Sequence, residues 1–189
     1  MEKQSHKTEQ TRQAFLDAFC SLYSKKPIQN ITVQEISGQA GFNRVTFYEY
    51  FSGIDELLEH IENDVLNCIK RKHPKMLSIE ADMALIQETI KFYEEKGTYL
   101  NALMGKYGSN RFSEKFKAKI PYNENQFSLY DENKTTAYLI EFRNSAALSL
   151  FQFWQRRKKD MSMEELAGLI VSLYNEGISG FIKRKNKKM

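Results

Sequence analysis

The sequence predicts an all-α protein with a three-helix N-terminal domain in residues 1–53 and a larger helical domain in residues 54–189. Two observations predict this fold class. Residues 31–58 carry helix start and stop signals at short spacing, and most later apolar residues recur every three or four positions. Residues 121–134 are polar and without period, which predicts a loop. The length alone also fits a single domain.

Residues 31–58 encode two short helices around a glycine turn, followed by the start of a third helix. Thr32 and Glu35 have the spacing of a capping box, so a helix begins near Val33. Gly41 supplies the left-handed residue that ends this helix, and Asn43 caps the next one. This is the layout of a helix-turn-helix, a unit that reads DNA.

The inward faces of these helices follow from the spacing. Three apolar residues share one face of the first short helix, and three polar residues are predicted to point away from it: Val33, Ile36 and Ala40, against Gln34, Ser37 and Gln39. Phe47 and Phe51 are predicted core residues. Ser52 with Asp55 marks the start of the third helix.

These residues together resemble the N-terminal domain of the TetR family of bacterial transcriptional regulators. The resemblance covers about a quarter of the chain and rests on a combination of segments: Arg12 to Phe19, Ile31-Thr32-Val33 with Ile36, Ala40 to Tyr48, Phe51, and Leu57-Leu58. The Asn-Arg-x-Thr-Phe-Tyr segment is similar to a Firmicute-type subgroup of short regulators, some of which resemble the dihydroxyacetone kinase operon activator. The resemblance implies double-stranded DNA as a partner, a homodimer, and a C-terminal domain for ligand binding and dimerisation.

DNA-contacting roles follow from side-chain chemistry and from the resemblance. Arg44 can fork onto a guanine, a contact worth about 1–3 kcal/mol of discrimination. Val45 and Thr46 can meet a thymine methyl, and Tyr48 and Tyr50 can donate to phosphates. Tyr48 is alternatively half core and half contact. The full predicted DNA-binding set is Gln34, Asn43, Arg44, Val45, Thr46, Tyr48 and Tyr50.

The charge of the N-terminal part gives no support to DNA binding. Residues 1–60 hold six Lys and Arg against eight Asp and Glu, a net charge of −2, whereas the whole chain has +4. Phosphate contacts are therefore assigned to the N-terminal arm, with Lys3, Lys7 and Arg12, while the basic residues 183–188 are taken as a solvated end.

Two residues depart from the family pattern. Glu49 places a carboxylate on the reading helix, where it repels phosphate unless it accepts from a cytosine amine. Ile54 stands where many family members place a lysine near a phosphate. A backbone amide aided by Ser52 is expected to replace that lysine.

The remaining helices are predicted from the spacing of apolar residues and from helix start and stop signals. The helix from Ile54 ends before Pro74, a second helix from Ile79 is closed by Gly97, and a third begins near Thr98. A short helix with Phe112, Phe116 and Ile120 stops at Pro121. Two long helices follow: one spans Thr135 to Lys158, and the other begins with a Ser162–Glu165 capping box. The glycines of the last helix, Gly168, Gly177 and Gly180, indicate that another backbone comes close there.

The two last helices have wide apolar faces, which the resemblance assigns to a four-helix bundle shared by two chains. The spacing alone favours the completion of a monomer's core. With the resemblance, the predicted dimer interface is Phe142, Leu150, Phe153, Trp154, Leu166, Leu169, Ile170, Leu173 and Phe181.

A small-molecule pocket is the third expectation that the resemblance implies. Aromatic residues and one methionine of the middle helices are its candidates, namely Tyr93, Tyr99, Met104, Tyr107, Phe112, Phe116, Tyr138 and Phe142. The alternative is that these side chains form ordinary core. No charged pair identifies the effector.

Other classes are excluded by missing motifs. The sequence has no metalloprotease, nucleophile-elbow, phosphate-loop or dinucleotide motif, so no enzyme and no cofactor are predicted. Cys20 and Cys68 lack metal-ligand spacing, no cysteine or carboxylate is expected around the three histidines, and no metal is predicted. No signal peptide and no apolar run near the ~20 residues of a membrane span are present, which predicts a cytoplasmic protein.

The sequence thus predicts a homodimeric repressor that a small-molecule ligand releases from a palindromic operator. The alternative is a co-regulator or activator that acts through a protein partner and binds DNA weakly by itself.

Overall fold

The computed structural model describes residues 2–73, 76, 81–108, 110–119 and 134–186, with residues 2–7, 134–137 and 178–186 described in backbone only. These residues form eight α-helices and no strand, which confirms the all-α prediction. The helices are α1 Glu2–Tyr23, α2 Val33–Ala40, α3 Arg44–Tyr50, α4 Ile54–Lys72, α5 Met83–Met104, α6 Asn110–Lys119, α7 Lys134–Arg156 and α8 Met163–Asn186. No helix in the described ranges is long and apolar enough to cross a membrane.

The chain forms two compact units. The first consists of Met1–Val65 and Gly97–Phe112, and the second of Leu66–Lys96 and Ser113–Met189. The first unit therefore takes up part of α4 and the end of α5 in addition to the N-terminal helices. The predicted domain boundary after residue 53 remains a prediction.

The first unit is built around Phe15 of α1. The Phe15 side chain is fully buried, and its ring centroid lies 5.4 Å from that of Phe47 and 6.5 Å from that of Phe51. Phe47 and Phe51 are buried as predicted. Since aromatic side chains bury large areas in specific geometries, this cluster fixes α3 against α1.

The two short helices begin at the predicted caps. The Thr32 side chain accepts from the Glu35 amide, and the Glu35 carboxylate accepts from the Thr32 amide at 3.0 Å, which completes a capping box. The Asn43 Oδ1 accepts from the Thr46 amide at 2.8 Å and caps α3. Side chains thus satisfy amides that a helix start leaves without partners.

We expect Thr32→Ala to lower the free energy of unfolding by about 1 kcal/mol, because the substitution removes the acceptor of the capping box. Urea denaturation of the purified variant measures this change. Thr98→Ala is the matched control, since Thr98 lies exposed within α5 and caps no helix start. Equal effects of the two substitutions would contradict a stabilising role for the box.

Four local predictions need correction. Gly97 does not close a helix, because α5 continues through it to Met104, and the described glycines with positive φ are Gly41 and Gly177. The predicted helix start near Thr98 is absent for the same reason. The helix start marked by Ser52 and Asp55 is found, since α4 begins at Ile54, and the Ser52 hydroxyl and amide donate to Glu56.

The other two corrections concern packing. Ser37, predicted to point away from the core, is buried with only 2% of its surface exposed. The predicted close approach of another backbone at Gly168 and Gly177 is not found among the described residues of this chain, since an added Cβ at either position would meet no described atom within 4 Å. Gly177 instead allows a left-handed break in α8, with φ of 63°. The surroundings of Gly180 lie outside the described part of the chain, as do residues 79, 120 and 121–133.

The second unit has its core around Trp154 of α7. Trp154 is buried with Met163 and Leu166 of α8, and its indole N–H donates to the Met161 carbonyl at 2.7 Å. The capping box of α8 is present as predicted, because the Ser162 hydroxyl accepts from the Glu165 amide and the Glu165 carboxylate accepts from the Ser162 amide. These contacts set the turn between α7 and α8.

Candidate nucleic-acid interface

The turn between α2 and α3 has the geometry that the glycine predicts. Gly41 adopts φ of 80° and ψ of 23°, the left-handed conformation that glycine tolerates best. The Phe42 amide donates to the Ser37 carbonyl at 2.9 Å and closes the end of α2. Asn43 then begins α3 at once, so α2, the turn and α3 form one continuous helix-turn-helix.

The outer face of α3 is open to solvent. Arg44 is exposed, Val45 exposes 71% of its surface and Tyr48 exposes 51%. Gln34 is exposed on α2. Phe47, on the opposite face of α3, is fully buried, so the helix is anchored by one side and presents the other. This is the arrangement that a helix needs to enter a major groove.

Four predicted DNA-contacting residues have structural partners. The Thr46 amide and hydroxyl both lie within hydrogen-bonding distance of the Asn43 Oδ1, so these two side chains serve the cap of α3. Tyr50 is half-buried, with its ring 5.9 Å from that of Phe15. Tyr48 packs edge-on against Phe47 while half of it stays exposed, which agrees with a mixed role.

The structure describes the side chain of only one of the three residues of the N-terminal arm that were predicted to contact phosphates. Arg12 lies in α1, where its guanidinium stands 5.8 Å from the ring centroids of both Tyr50 and Phe51 and pairs with Glu9 at 3.8 Å. It is therefore part of the folded unit and not of a free arm. Lys3 and Lys7 fall within the backbone range of α1, and their side chains lie outside the described residues.

Acidic residues around the helix-turn-helix are held by local donors. The Lys26 ammonium and the Thr32 hydroxyl and amide lower the pKa of Glu35. Likewise the Ser52 hydroxyl and amide lower the pKa of Glu56. Ser52 was expected to help bind a phosphate near Ile54, yet Glu56 already accepts from its two donors. Glu49 is exposed on α3.

We expect Ser37→Ala to raise the free energy of unfolding by roughly 1 kcal/mol. The Ser37 Oγ is buried and has no hydrogen-bond partner among the described residues, and alanine also has the higher helix propensity. Thermal and urea unfolding measure the gain. Ser113→Ala, in α6, reports the propensity difference at a half-buried site, so a Ser37→Ala gain no larger than that of Ser113→Ala would contradict the desolvation argument.

The predicted dimer interface divides into buried and open residues. Trp154 and Leu166 are buried in the core of one chain, so their part in a dimer interface stays a prediction. Leu150 and Ile170 pack against the same core, while Leu169 and Leu173 are half-buried. Phe142 and Phe153 expose 64% and 50% of their surfaces on α7. The Phe181 side chain lies outside the described part.

The predicted pocket residues are divided between the two units. Tyr138 and Phe142 are open to solvent, with 76% and 64% of their surfaces exposed. Tyr99 is buried in the first unit, where its hydroxyl is hydrogen-bonded to Gln13, and burial raises its pKa to about 12. Tyr93 packs edge-on against Trp154 in the core of the second unit. Met104 and Phe112 are buried, and Tyr107 and Phe116 are half-buried. The burial of most of the set agrees with the alternative of ordinary core, and the pocket stays a prediction.

One cluster was missed by the sequence prediction. The donor atoms of Cys68, His73 and Glu95 all lie within 4.8 Å of one another in the second unit. Burial and the nearby Glu95 raise the pKa of the Cys68 thiol, whereas the Lys72 ammonium lowers the pKa of Glu95. The expectation that no cysteine or carboxylate surrounds a histidine was therefore wrong for His73. The i, i+5 spacing of Cys68 and His73 was the available signal, and Glu95 comes from another helix.

The described helices thus form a helix-turn-helix with an exposed outer face on α3, followed by a helical C-terminal part. Residues 15–61 match the family described as "Bacterial regulatory proteins, tetR family", so the helix-turn-helix part of the chain is of the kind found in that family. No curated protein matches the chain.

Solved structures show the same fold at low sequence identity. A TetR transcriptional regulator from Streptococcus agalactiae 2603V is 20% identical, with a TM-score of 0.63 over 92% of this chain and 98% of its own. The dihydroxyacetone kinase operon activator DhaS is 19% identical, with a TM-score of 0.59 over 89% and 96%. A tetR-family regulator from Streptomyces coelicolor is 19% identical, with a TM-score of 0.55 over 88% and 79%.

Proposed function

We propose that the protein is a homodimeric cytoplasmic repressor that reads a palindromic operator with α3 and leaves it when a small molecule binds. The observation that carries the DNA-reading part is the exposed face of α3. Arg44, Val45 and Tyr48 are open to solvent there, whereas Phe47 holds the helix in place. An exposed arginine beside an aliphatic side chain matches a guanine next to a thymine methyl.

The dimer part rests on α7. Phe142 and Phe153 are large apolar side chains that a single chain leaves exposed, and Leu139 exposes 40% of its surface on the same helix. Exposed apolar residues that recur on one helix mark interaction sites. A two-fold dimer presents two copies of α3, and a palindromic site mirrors that symmetry.

The release part follows from the spacing of the two reading helices. Two half-sites one DNA turn apart, about 34 Å, hold the dimer only when its two α3 helices have matching separation. A ligand that favours another separation shifts the population away from the operator. This mechanism does not specify the chemical class of the effector.

An activator or co-regulator is the second candidate. The similar structure DhaS is an operon activator, and Glu49 is exposed on α3 within an N-terminal part of net charge −2. Both acidic features oppose phosphate binding, so a protein partner would supply affinity. Binding of DNA by the purified protein alone separates the two candidates.

The test is selection and sequencing of genomic fragments that the purified protein retains at about 150 mM salt, where contacts to phosphate alone are mostly suppressed. One enriched inverted repeat would support a self-sufficient dimeric regulator, and its position relative to the promoter would give the sign of regulation. If no fragment is enriched, the hypothesis of a self-sufficient regulator is overturned, and a protein partner is required for DNA binding. Release of the repeat is then screened with small molecules related to the neighbouring genes' products.

A further inference from the structure

We propose that Cys68, His73 and Glu95 bind a divalent transition-metal ion of the zinc class. All three belong to the second unit. Cys68 lies in the last turns of α4, His73 directly follows that helix, and Glu95 lies on α5. Thiolate, imidazole and carboxylate are the side-chain ligands that zinc accepts in proteins.

The imidazole of His73 is oriented for such an ion. Its Nδ1 lies 2.9 Å from the Glu88 Oε2, a normal hydrogen-bond distance, and only 5% of the residue is exposed. A carboxylate on one ring nitrogen fixes the tautomer in which the other nitrogen holds the lone pair. Histidines that bind metals almost always donate their other ring N–H to a carboxylate, a backbone carbonyl or a water molecule.

The other ring nitrogen has no hydrogen bond of normal length among the described residues, only a long contact with Glu95. The His73 Nε2 is buried and has no hydrogen-bond partner among the described residues, and the nearest Glu95 oxygen, Oε2, lies 3.6 Å away. Buried polar atoms are normally hydrogen-bonded, so an orphaned one needs an explanation. An ion bound to Nε2 supplies the missing partner.

Glu95 is also held in a suitable position. Its Oε1 accepts from the Lys72 ammonium at 2.5 Å, which leaves Oε2 as the oxygen that faces His73. Ligand atoms around a tetrahedral zinc ion lie about 3.3–3.8 Å apart, given metal–ligand distances of about 2.0–2.3 Å. The three donor atoms already lie within 4.8 Å of one another, so bound zinc would require them to come closer by at most about 1.5 Å. Three protein ligands leave one coordination position for water.

The test uses the full-length chain, reduced, free of affinity tag and stripped with chelator. Zinc chloride is titrated by calorimetry, and cobalt chloride by absorption, which reports a thiolate-to-cobalt charge-transfer band. We expect one ion per chain and a band that Cys68→Ser abolishes. Cys20→Ser is the matched control, because Cys20 is the other buried cysteine and lies in the first unit. That variant should keep both the band and the stoichiometry.

The carboxylates provide variants that keep both cysteines. We expect Glu88→Gln to weaken zinc binding about 10- to 100-fold, as loss of an outer-shell partner does, and Glu95→Gln to weaken it by at least that factor. Circular dichroism confirms that each variant remains helical. Absence of stoichiometric binding to the wild-type chain, a band that survives Cys68→Ser, or equal loss in Cys20→Ser would overturn the proposal. No DNA is present, so the result is separate from that of the operator selection.

Discussion

Arg44→Ala should weaken binding to the selected operator about 10- to 100-fold per half-site and relax the preference at one base position. The reason is that a guanidinium forked onto a guanine is worth about 1–3 kcal/mol of discrimination. Arg44 is exposed at the first position of α3, whose cap at Asn43 and anchor at Phe47 fix the direction of the helix. Competition binding with operators substituted one position at a time measures both effects.

The control for charge is Arg71→Ala, which removes an exposed arginine from α4 outside the helix-turn-helix. We expect this variant to lower affinity for all duplexes slightly and equally, with no change in base preference. Arg44→Lys tests the bidentate contact with the guanine, because lysine keeps the positive charge but cannot donate two parallel hydrogen bonds from a planar group. If Arg44→Ala weakened specific and random DNA equally, Arg44 would be a phosphate contact and the reading residue would have to be sought elsewhere on α3.

The helix-turn-helix could be predicted because its signals are local. The Thr32–Glu35 capping box, the left-handed Gly41 and the Asn43 cap each depend on residues at most three positions apart. Their hydrogen bonds form wherever the backbone becomes helical, so short sequence windows contain the needed information. The buried positions of Phe47 and Phe51 followed from the same helical spacing.

The predictions were wrong where contacts between residues that are far apart in the sequence determine the structure. Ser37 looks solvent-exposed by type, yet its place in α2 buries it. Gly97 has the composition of a helix end, but α5 passes through it because packing overrides a propensity of about 1 kcal/mol. An apolar face on a helix does not say which neighbour covers it, so for Trp154, which packs within one chain, the interface role stays a prediction. Likewise the approach of Glu95 to Cys68 and His73 depends on how α5 meets the end of α4.

The exposed side chains of α7 give the second large expected effect. We expect Phe142→Glu to weaken the homodimer roughly 10²- to 10⁴-fold. Burial of one phenylalanine contributes about 1.5–3 kcal/mol, a two-fold interface contains each residue twice, and every 1.4 kcal/mol is a tenfold change. The substitution should leave the monomer folded, because 64% of the Phe142 surface is already exposed within one chain. Light scattering after size exclusion measures the mass across a concentration series.

Operator binding should fall together with the dimer, because a single α3 reads only one half-site. Phe153→Glu, at the other exposed phenylalanine of α7, should act in the same direction. Met83→Glu is the matched control, since Met83 exposes 67% of its surface at the start of α5 and is not among the proposed interface residues. A dimer that survives both α7 substitutions but dissociates in Met83→Glu would place the interface on α5. A chain that is monomeric before any substitution would remove the two-fold premise, and operator binding would then require a partner protein.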